Sequence, residues 1–269
     1  MKRYFSSLLI LTVILIAGCD EKDISIPEVV PDSEKKVLIE EFTGVECVNC
    51  PQGSAELENL LGLYSENLIA VSIHAGIFSD PYPDSQHDFR TEEGTSIQEY
   101  VGNPLGWPSA VVNRHNPSGS SLQLGLNKWA GAIDEALSRD PLASLGGTLE
   151  FDRSTRSGKI NLRAVALENV RSPIYVTVLV TESHIFDYQL TPMGLDPNYE
   201  HKHVLRKVIT PSSGERLVDE LAIGEVAERT LNFSFDESWV IDNCDIVAFI
   251  HFNGASKEVI QAEEFKIPN

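Results

Sequence analysis

The spacing of apolar residues between positions 36 and 140 is that of strands alternating with helices. Two short apolar runs, at 37–42 and 68–74, are bounded by turn residues, which is typical of strands buried on both faces. Apolar residues at helical spacing follow each of two later turns: Leu57, Leu60, Leu61 and Tyr64 in the first segment, and Trp129, Ala132, Ile133, Ala136 and Leu137 in the second. Since such spacing gives a helix one apolar face, we predict an α/β domain over residues 36–140.

After residue 140 the period of the apolar residues changes to two. The alternating runs are separated by turn residues, and no helical pattern interrupts them. They predict seven strands, near residues 143–151, 159–167, 174–181, 203–209, 230–235, 246–252 and 259–265. This number of short strands indicates an all-β domain over residues 141–269, a β-sandwich of the immunoglobulin-like kind.

The start of the chain has the composition of a targeting segment. A positively charged beginning precedes an apolar core from Leu8 to Ala17, which is too short for a bilayer span of about 20 residues. The core ends in Ile16-Ala17-Gly18-Cys19, which resembles the lipobox of bacterial lipoproteins. We therefore predict a signal peptide over residues 1–18, and a lipidated Cys19 followed by an acidic tether over residues 19–35. The alternative is an ordinary secretory peptide in which the cysteine occurs by chance.

The charge balance excludes one large class of partners. Lys and Arg total 21 against 40 Asp and Glu, which gives a formal net charge of -19. A chain this acidic does not attract phosphate backbones or anionic head groups, so nucleic acid is not an expected partner. The sequence also contains no phosphate-binding loop or nucleophile elbow, and we predict no cofactor.

Two of the four cysteines form a CxxC motif, Cys47-Val48-Asn49-Cys50, between the first predicted strand and the first predicted helix. A cysteine at a helix N-terminus has a lowered pKa, because unpaired N–H groups and the helix dipole stabilise the thiolate. This position favours Cys47 as an attacking thiolate. Cys50, one turn into the helix, is then the resolving thiol. Cys244 shares the parity of apolar strand neighbours and is predicted to be buried and inert.

The order of strand, CxxC, helix, strand, long insertion, proline, strand and helix resembles the thioredoxin fold from Lys36 to Arg139. Glu41-Phe42-Thr43-Gly44-Val45-Glu46-Cys47-Val48-Asn49-Cys50-Pro51 resembles, more narrowly, the Omp28-related outer membrane lipoproteins, which join a thioredoxin-like domain to a β domain. The resemblance implies an outer membrane location with the lipid on Cys19 as anchor. It also implies a cis peptide bond before Pro108, facing the cysteines.

The same resemblance supplies roles for three further residues. Glu41 lies six residues before Cys47, at the position of the buried carboxylate of thioredoxins, and such a group accepts the proton of the resolving cysteine. Trp107 and Pro108 correspond to the segment that docks a cysteine-containing peptide. The implied activity is thiol–disulfide exchange on envelope or extracellular proteins.

Two features depart from a simple thioredoxin. Glu46 places a carboxylate beside Cys47, and like charge disfavours the thiolate. A positively charged His74, at the end of the second strand, would offset that carboxylate. Val48 and Asn49 replace the Gly-Pro dipeptide of thioredoxin, which changes the reduction potential in a direction that the sequence does not give.

Three alternatives stay open at this point. The CxxC pair is either redox-active or a structural bridge, although a two-residue loop gives a bridge little stabilising effect. A metal site would need four ligands, and one CxxC with His74 and His87 does not form a recognisable set, so no metal is predicted. The chain is otherwise a binding or adhesion lipoprotein, whose β domain contacts a partner through the aromatic loop at 186–194.

Overall fold

The computed structural model describes residues 34–116 and 121–268. The predicted signal peptide, the lipidated Cys19 and nearly all of the predicted tether therefore lie outside the described residues.

The first part of the described chain contains the predicted α/β elements. The elements are β1 (Val37–Thr43), α1 (Cys50–Tyr64), β2 (Leu68–His74), α2 (Glu92–Val101), β3 (Ser109–Val112), β4 (Leu124–Gly125) and α3 (Trp129–Leu137). Strands β1 and β2 are parallel neighbours, and β3 lies antiparallel on the other side of β1. Helix α1 begins at the second cysteine with a proline at its start, where the missing N–H costs nothing.

The second part is built from strands, as the period of two predicts. All seven predicted strands are present, with ends that differ by a few residues, and three further strands occur that the pattern did not indicate. The elements are β5 (Ala143–Asp152), β6 (Ser157–Ala166), β7 (Ile174–Glu182), β8 (Ile185–Thr191), β9 (Gly194–His201), β10 (Val204–Val208), β11 (Glu215–Val218), β12 (Val226–Ser234), β13 (Cys244–His251) and β14 (Val259–Lys266). The coarse expectation of an α/β part followed by a β-rich part is confirmed.

One sheet runs through both parts of the chain, in the order β14-β13-β7-β10-β2-β1-β3-β4. The junction is the parallel pairing of β10 with β2, where Val204 lies opposite Ser72 and the Ser72 N–H donates to the His203 carbonyl over 2.7 Å. Strands from either side of residue 140 therefore share a hydrogen-bonded ladder. The domain boundary at 140 stays a prediction.

Three main apolar cores lie between the sheets and helices. The first lies between the three-stranded sheet β12-β6-β5 and the β7–β13–β14 end of the long sheet, and is lined by residues such as Ile160 and Val178. The second lies under α2 on one face of β1 and β2, and the third packs α1 and α3 against the opposite face, where Trp129 is fully buried. Burial on both faces explains why β1 and β2 are almost continuously apolar.

The two acidic residues of β1 point to opposite faces, because side chains alternate along a strand. Glu40 lies on the α2 face and forms a buried, two-pronged ion pair with Arg114, with N–O distances of 2.7 and 2.8 Å. The Arg114 guanidinium also lies 4.8 Å from the centre of the Phe249 ring in β13. This pair therefore links β1 to the second half of the chain.

We expect that Glu40→Gln lowers the free energy of unfolding by about 3–5 kcal/mol, since it leaves a buried guanidinium without its counter-charge. Urea denaturation at neutral pH measures the change. The double variant Glu40→Gln with Arg114→Met removes both charges and should recover a large part of the loss. A single variant as stable as the wild type would contradict this account of the core.

Candidate functional site

The two cysteines of the CxxC motif form a disulfide in the turn between β1 and α1. Cys50 is the first residue of α1, so it lies at the helix N-terminus rather than one turn into the helix, and Cys47 lies three residues before it. Both are buried, with exposed fractions of 4% for Cys47 and 1% for Cys50. An exchange partner therefore has almost no direct access to either sulfur in this conformation.

The segment that packs against the cysteine loop comes from far along the chain. The Gln189 side-chain amide donates to the carbonyls of Gly44 and Cys47, each over 3.2 Å, and the Leu190 N–H donates to the Val45 carbonyl over 2.7 Å. Both donors belong to β8, which pairs only with β9 in the described part of the chain. The β8–β9 hairpin therefore lies directly on the CxxC loop.

Residues 186–194, which the sequence predicted as a loop, instead form most of β8 and the turn into β9, and their contact with a partner stays a prediction. Asp187 and Gln189, two residues apart on one face of β8, are only 3% and 2% exposed. The sequence reasoning missed both residues. The period of two in Ile185, Asp187 and Gln189 was the available signal, but a polar residue at an inward position reads as a loop.

Glu41 lies on the α1 face of β1, opposite in direction to Glu40. Its carboxylate oxygens accept hydrogen bonds from Ser72 over 2.8 Å and from Ser54 over 3.3 Å. Burial raises the pKa of the Glu41 carboxyl to about 7, because the charged form loses its hydration, and the two serine hydroxyls offset only part of this effect. The group is thus close to half-protonated at neutral pH.

Glu41 and Pro108 lie beside the same face of α1. A Cβ placed on Gly53 would come within 2.6 Å of the Pro108 Cβ and 3.0 Å of Glu41 Oε1. Gly53 is one helical turn after Cys50, so Gly53 and Cys50 share a helix face. The helix approaches β1 and β3 this closely because Gly53 has no side chain. Glu41, Pro108 and Cys50 therefore lie in one region.

The Trp107–Pro108 peptide bond is cis, as expected. The Trp107 ring packs edge-to-face on Phe78, with 5.5 Å between ring centres. The Phe78 carbonyl in turn accepts a hydrogen bond from the Glu46 N–H over 2.9 Å. Trp107 is therefore connected to the cysteine loop through Phe78.

A cavity of about 340 Å³ lies between α1, β2 and the end of β9, and its lining includes Gln189 and the two serines, Ser54 and Ser72, that donate to Glu41. His74 and His201 border it, with 5.6 Å between their ring centres. Burial keeps the pKa of His74 well below its usual value and lowers the pKa of His201 to about 4, so both imidazoles are neutral. The idea that a charged His74 offsets Glu46 is therefore wrong.

At the mouth of this cavity, Glu58 of α1 is bound by Lys202 over 2.8 Å and by His203 over 3.1 Å. The hydrogen bond from His203 is the largest of the effects that lower the pKa of Glu58 to about 2, and Lys202 adds to it. These contacts connect α1 to the residues that follow the hairpin.

No three His, Cys, Asp or Glu side chains within residues 34–116 and 121–268 are arranged to hold a metal ion. Cys244 is buried in the β-rich core, as predicted, and burial raises the pKa of its thiol to about 12. Such a thiol does not compete with the CxxC pair at neutral pH.

The fold and the site together define a class of protein: a small α/β unit with a buried disulfide at a strand–helix junction, joined through one sheet to a β-rich part. A family model described as outer membrane protein Omp28 matches residues 96–269. The chain belongs to this family, which confirms the resemblance and places the protein at the outer membrane. The match begins after the CxxC motif, so membership does not address the chemistry of the cysteines.

Solved structures agree with the fold. HBP35 of Porphyromonas gingivalis is 19% identical, with a TM-score of 0.65 over 88% of this chain and 77% of that one. Protein AGR_C_4864 of Agrobacterium tumefaciens is 13% identical, with a TM-score of 0.52 over 88% of this chain and 96% of that one. At these identities the likeness concerns the fold alone. No curated protein matches the chain, and no helix among the described residues is long and apolar enough to cross a membrane.

The raised pKa of Glu41 gives a stability prediction with a definite sign. The carboxyl loses its proton in the unfolded chain near pH 4.5 but in the folded chain only near pH 7. The folded state therefore loses stability as the pH rises through this window, by roughly 3 kcal/mol at 1.36 kcal/mol per pKa unit. Glu41→Gln removes this loss, so its stability relative to the wild type should rise by that amount between pH 4 and pH 8.

Urea denaturation of the oxidised protein at pH 4 and pH 8 measures the difference. Glu46→Gln, a change of a partly exposed carboxyl on the loop after β1, is the matched control for the loss of one carboxylate. An equal effect of Glu41→Gln at both pH values would mean that Glu41 ionises normally.

Proposed function

We propose that this protein is an outer-membrane lipoprotein, anchored through Cys19, that carries out thiol–disulfide exchange on proteins of the cell envelope. The single observation that carries the proposal is the Cys47–Cys50 disulfide at the start of α1, with Glu41 and Pro108 beside the same helix face. A structural bridge does not require a buried carboxyl with a pKa of about 7 at this position.

The strand arrangement supports a thioredoxin-like assignment for the α/β part. The cysteine-bearing β1 lies between a parallel β2 and an antiparallel β3, and the proline in question directly precedes β3. Helices α1 and α3 cover one face of the sheet and α2 covers the other. The β-rich part has two facing sheets, as an immunoglobulin-like sandwich does. Its support for that assignment is weaker, because one of the two sheets is a section of the long sheet that continues into the α/β part.

The proposed reaction starts from the oxidised pair. A partner thiolate attacks the Cys47 sulfur, a new disulfide forms between the partner and Cys47, and the Cys47–Cys50 bond breaks. Cys50 leaves as a thiolate, and the proton that it takes up comes from Glu41. A second thiolate of the partner then displaces Cys47, so that the partner is oxidised by two electrons and the pair is reduced. The reverse sequence reduces a partner disulfide.

The geometry suits the proton transfer. A carboxyl with a pKa of about 7 is both an available donor and an available acceptor at neutral pH. Position and pKa together therefore support Glu41 as the acid–base group, in the role that the thioredoxin resemblance implied. Trp107 and Pro108 are proposed to dock the partner peptide.

The reduction potential of the Cys47–Cys50 pair is the direct test of redox function. We expect a value between roughly -100 and -270 mV, the range of known exchange catalysts. Equilibration of a Cys244→Ser background with glutathione buffers measures it. A value well below about -300 mV would indicate a resistant structural bridge and would count against the proposal.

Trapping of partners in the native envelope is the second test. Cys50→Ala leaves Cys47 without its resolving thiol, so mixed disulfides on Cys47 should accumulate and appear as adducts on non-reducing gels. The double variant Cys47→Ala with Cys50→Ala is the control and should show no adducts. An equal, empty pattern for both variants would exclude exchange with envelope proteins.

A second candidate function is non-enzymatic binding through the β-rich part. Its specific support is the tip of the β8–β9 hairpin, where Met193 is 96% exposed and Leu195 is also exposed. This function would be favoured by a reduction potential of the Cys47–Cys50 pair below about -300 mV, together with cells carrying Cys47→Ala whose envelope is indistinguishable from that of the wild type.

A further inference from the structure

The β8–β9 hairpin covers a cysteine that the proposed reaction needs in the open. The exposed fraction of Cys47 is 4%, and the loop that carries it lies under Gln189 and Leu190. We propose that this hairpin is a hinged cover, and that its opening controls which thiols reach the Cys47–Cys50 disulfide. The inference rests on the proposed function for its biological meaning, but the motion itself is testable without it.

Two sets of hydrogen bonds, here called latches, join the hairpin to two different segments of the chain. On one side, Gln189 and Leu190 bind three carbonyls of the cysteine loop, those of Gly44, Val45 and Cys47. On the other side, Asp187 Oδ2 accepts the backbone N–H groups of Gln86 and His87 over 2.9 and 2.7 Å. Both polar side chains are buried and lose these partners when the hairpin lifts.

The second latch ties the hairpin to the long insertion between β2 and α2. Tyr188 adds to this contact, with its ring centre 6.0 Å from that of Tyr82. Ile185 packs into a small apolar cluster with Val45 and Phe89. His201 of β9 also packs on Phe89, with 4.5 Å between ring centres. Packing and hydrogen bonds therefore both hold the hairpin in place.

The hairpin leaves the sheet after β7 and returns to it at β10, and a left-handed, non-glycine residue lies in each connection: His184 with φ 59° and His203 with φ 54°. Residues with side chains disfavour this conformation. At His203 it is held by the Ser72 N–H on its carbonyl and by the bond of its ring to Glu58, so the proposed opening turns about residues before His203. Since β8 and β9 pair only with each other in the described part of the chain, the hairpin can lift without breaking a shared ladder.

The cover gives the site selectivity. In the closed form, Cys47 is 4% exposed and β8 occupies the side of the loop that carries the Cys47 carbonyl, so a folded partner has little access to the Cys47 sulfur. A partner must therefore displace the hairpin or meet it open. The rate of exchange is then proportional to the fraction of molecules in which the hairpin is open, as for any minor state that alone can bind.

The test uses the full chain and measures the rate at which tris(2-carboxyethyl)phosphine reduces the Cys47–Cys50 disulfide. This phosphine reduces disulfides irreversibly, so the test does not require the pair to have a catalytic reduction potential. Gln189→Met keeps the length of the side chain but removes its donor, and Asp187→Ala removes the second latch. We expect each to raise the reduction rate at least five-fold. Thr191→Val is the matched control on the same strand, because its hydroxyl bonds only within the hairpin, to Gly194 and Met193, and should change the rate less than two-fold.

Amide hydrogen exchange separates opening of the hairpin from general destabilisation. In both latch variants the amides of Leu190 and His87 should exchange faster, while the amides of β13 in the core keep wild-type rates. Faster exchange in β13 as well, or faster exchange at Leu190 and His87 with a wild-type rate of reduction, would overturn the proposal. So would latch variants that change neither quantity.

Failure of this inference and failure of the proposed function are distinguishable. If the latch variants speed up reduction but the reduction potential of the pair is far below the catalytic range, the hinged cover stands and exchange catalysis is rejected. If the reduction potential is in the catalytic range but neither latch variant changes the reduction rate, exchange catalysis stands and the hinged cover is rejected.

Discussion

The parallel pairing of β10 with β2 is the constraint on which the rest of the structure depends. It is a short contact, Val204 opposite Ser72, yet it joins the α/β part and the β-rich part into one sheet. Because β7 and β10 are neighbours in that sheet, the chain between them must leave and return at the same end. That segment is the β8–β9 hairpin, and it packs on the CxxC loop through Gln189 and Leu190. The pairing therefore fixes where the hairpin is attached to the sheet.

The adjacent acids of β1 show how burial sorts chemically identical groups. Glu40 faces Arg114 and forms an ion pair that holds two halves of the chain together. Glu41 faces two serine hydroxyls, which satisfy its hydrogen bonds without neutralising its charge, so its pKa rises. One carboxylate contributes to the architecture, and the other retains a proton that can move at neutral pH.

Family membership and site chemistry inform different parts of this protein. The matched residues, 96–269, contain the whole β-rich part, the hairpin and the proline of the site, whereas the cysteines lie before them. The location therefore follows from the family, and the argument for exchange chemistry depends on the geometry around Cys47 and Cys50. The hairpin connects the two, since a segment inside the matched region covers a motif outside it.

The sequence by itself determined what depends on local pattern. Helical spacing and a period of two identified α1, α3 and seven strands, the parity of Cys244 predicted its burial, and a motif resemblance anticipated the cis bond before Pro108. Only the tertiary structure decided that one sheet spans residue 140, that β8 and β9 cover the cysteines, and that His74 is neutral. The physical reason is that strand pairing and desolvation depend on contacts between residues more than a hundred positions apart, and a local pattern contains no record of which strands will meet.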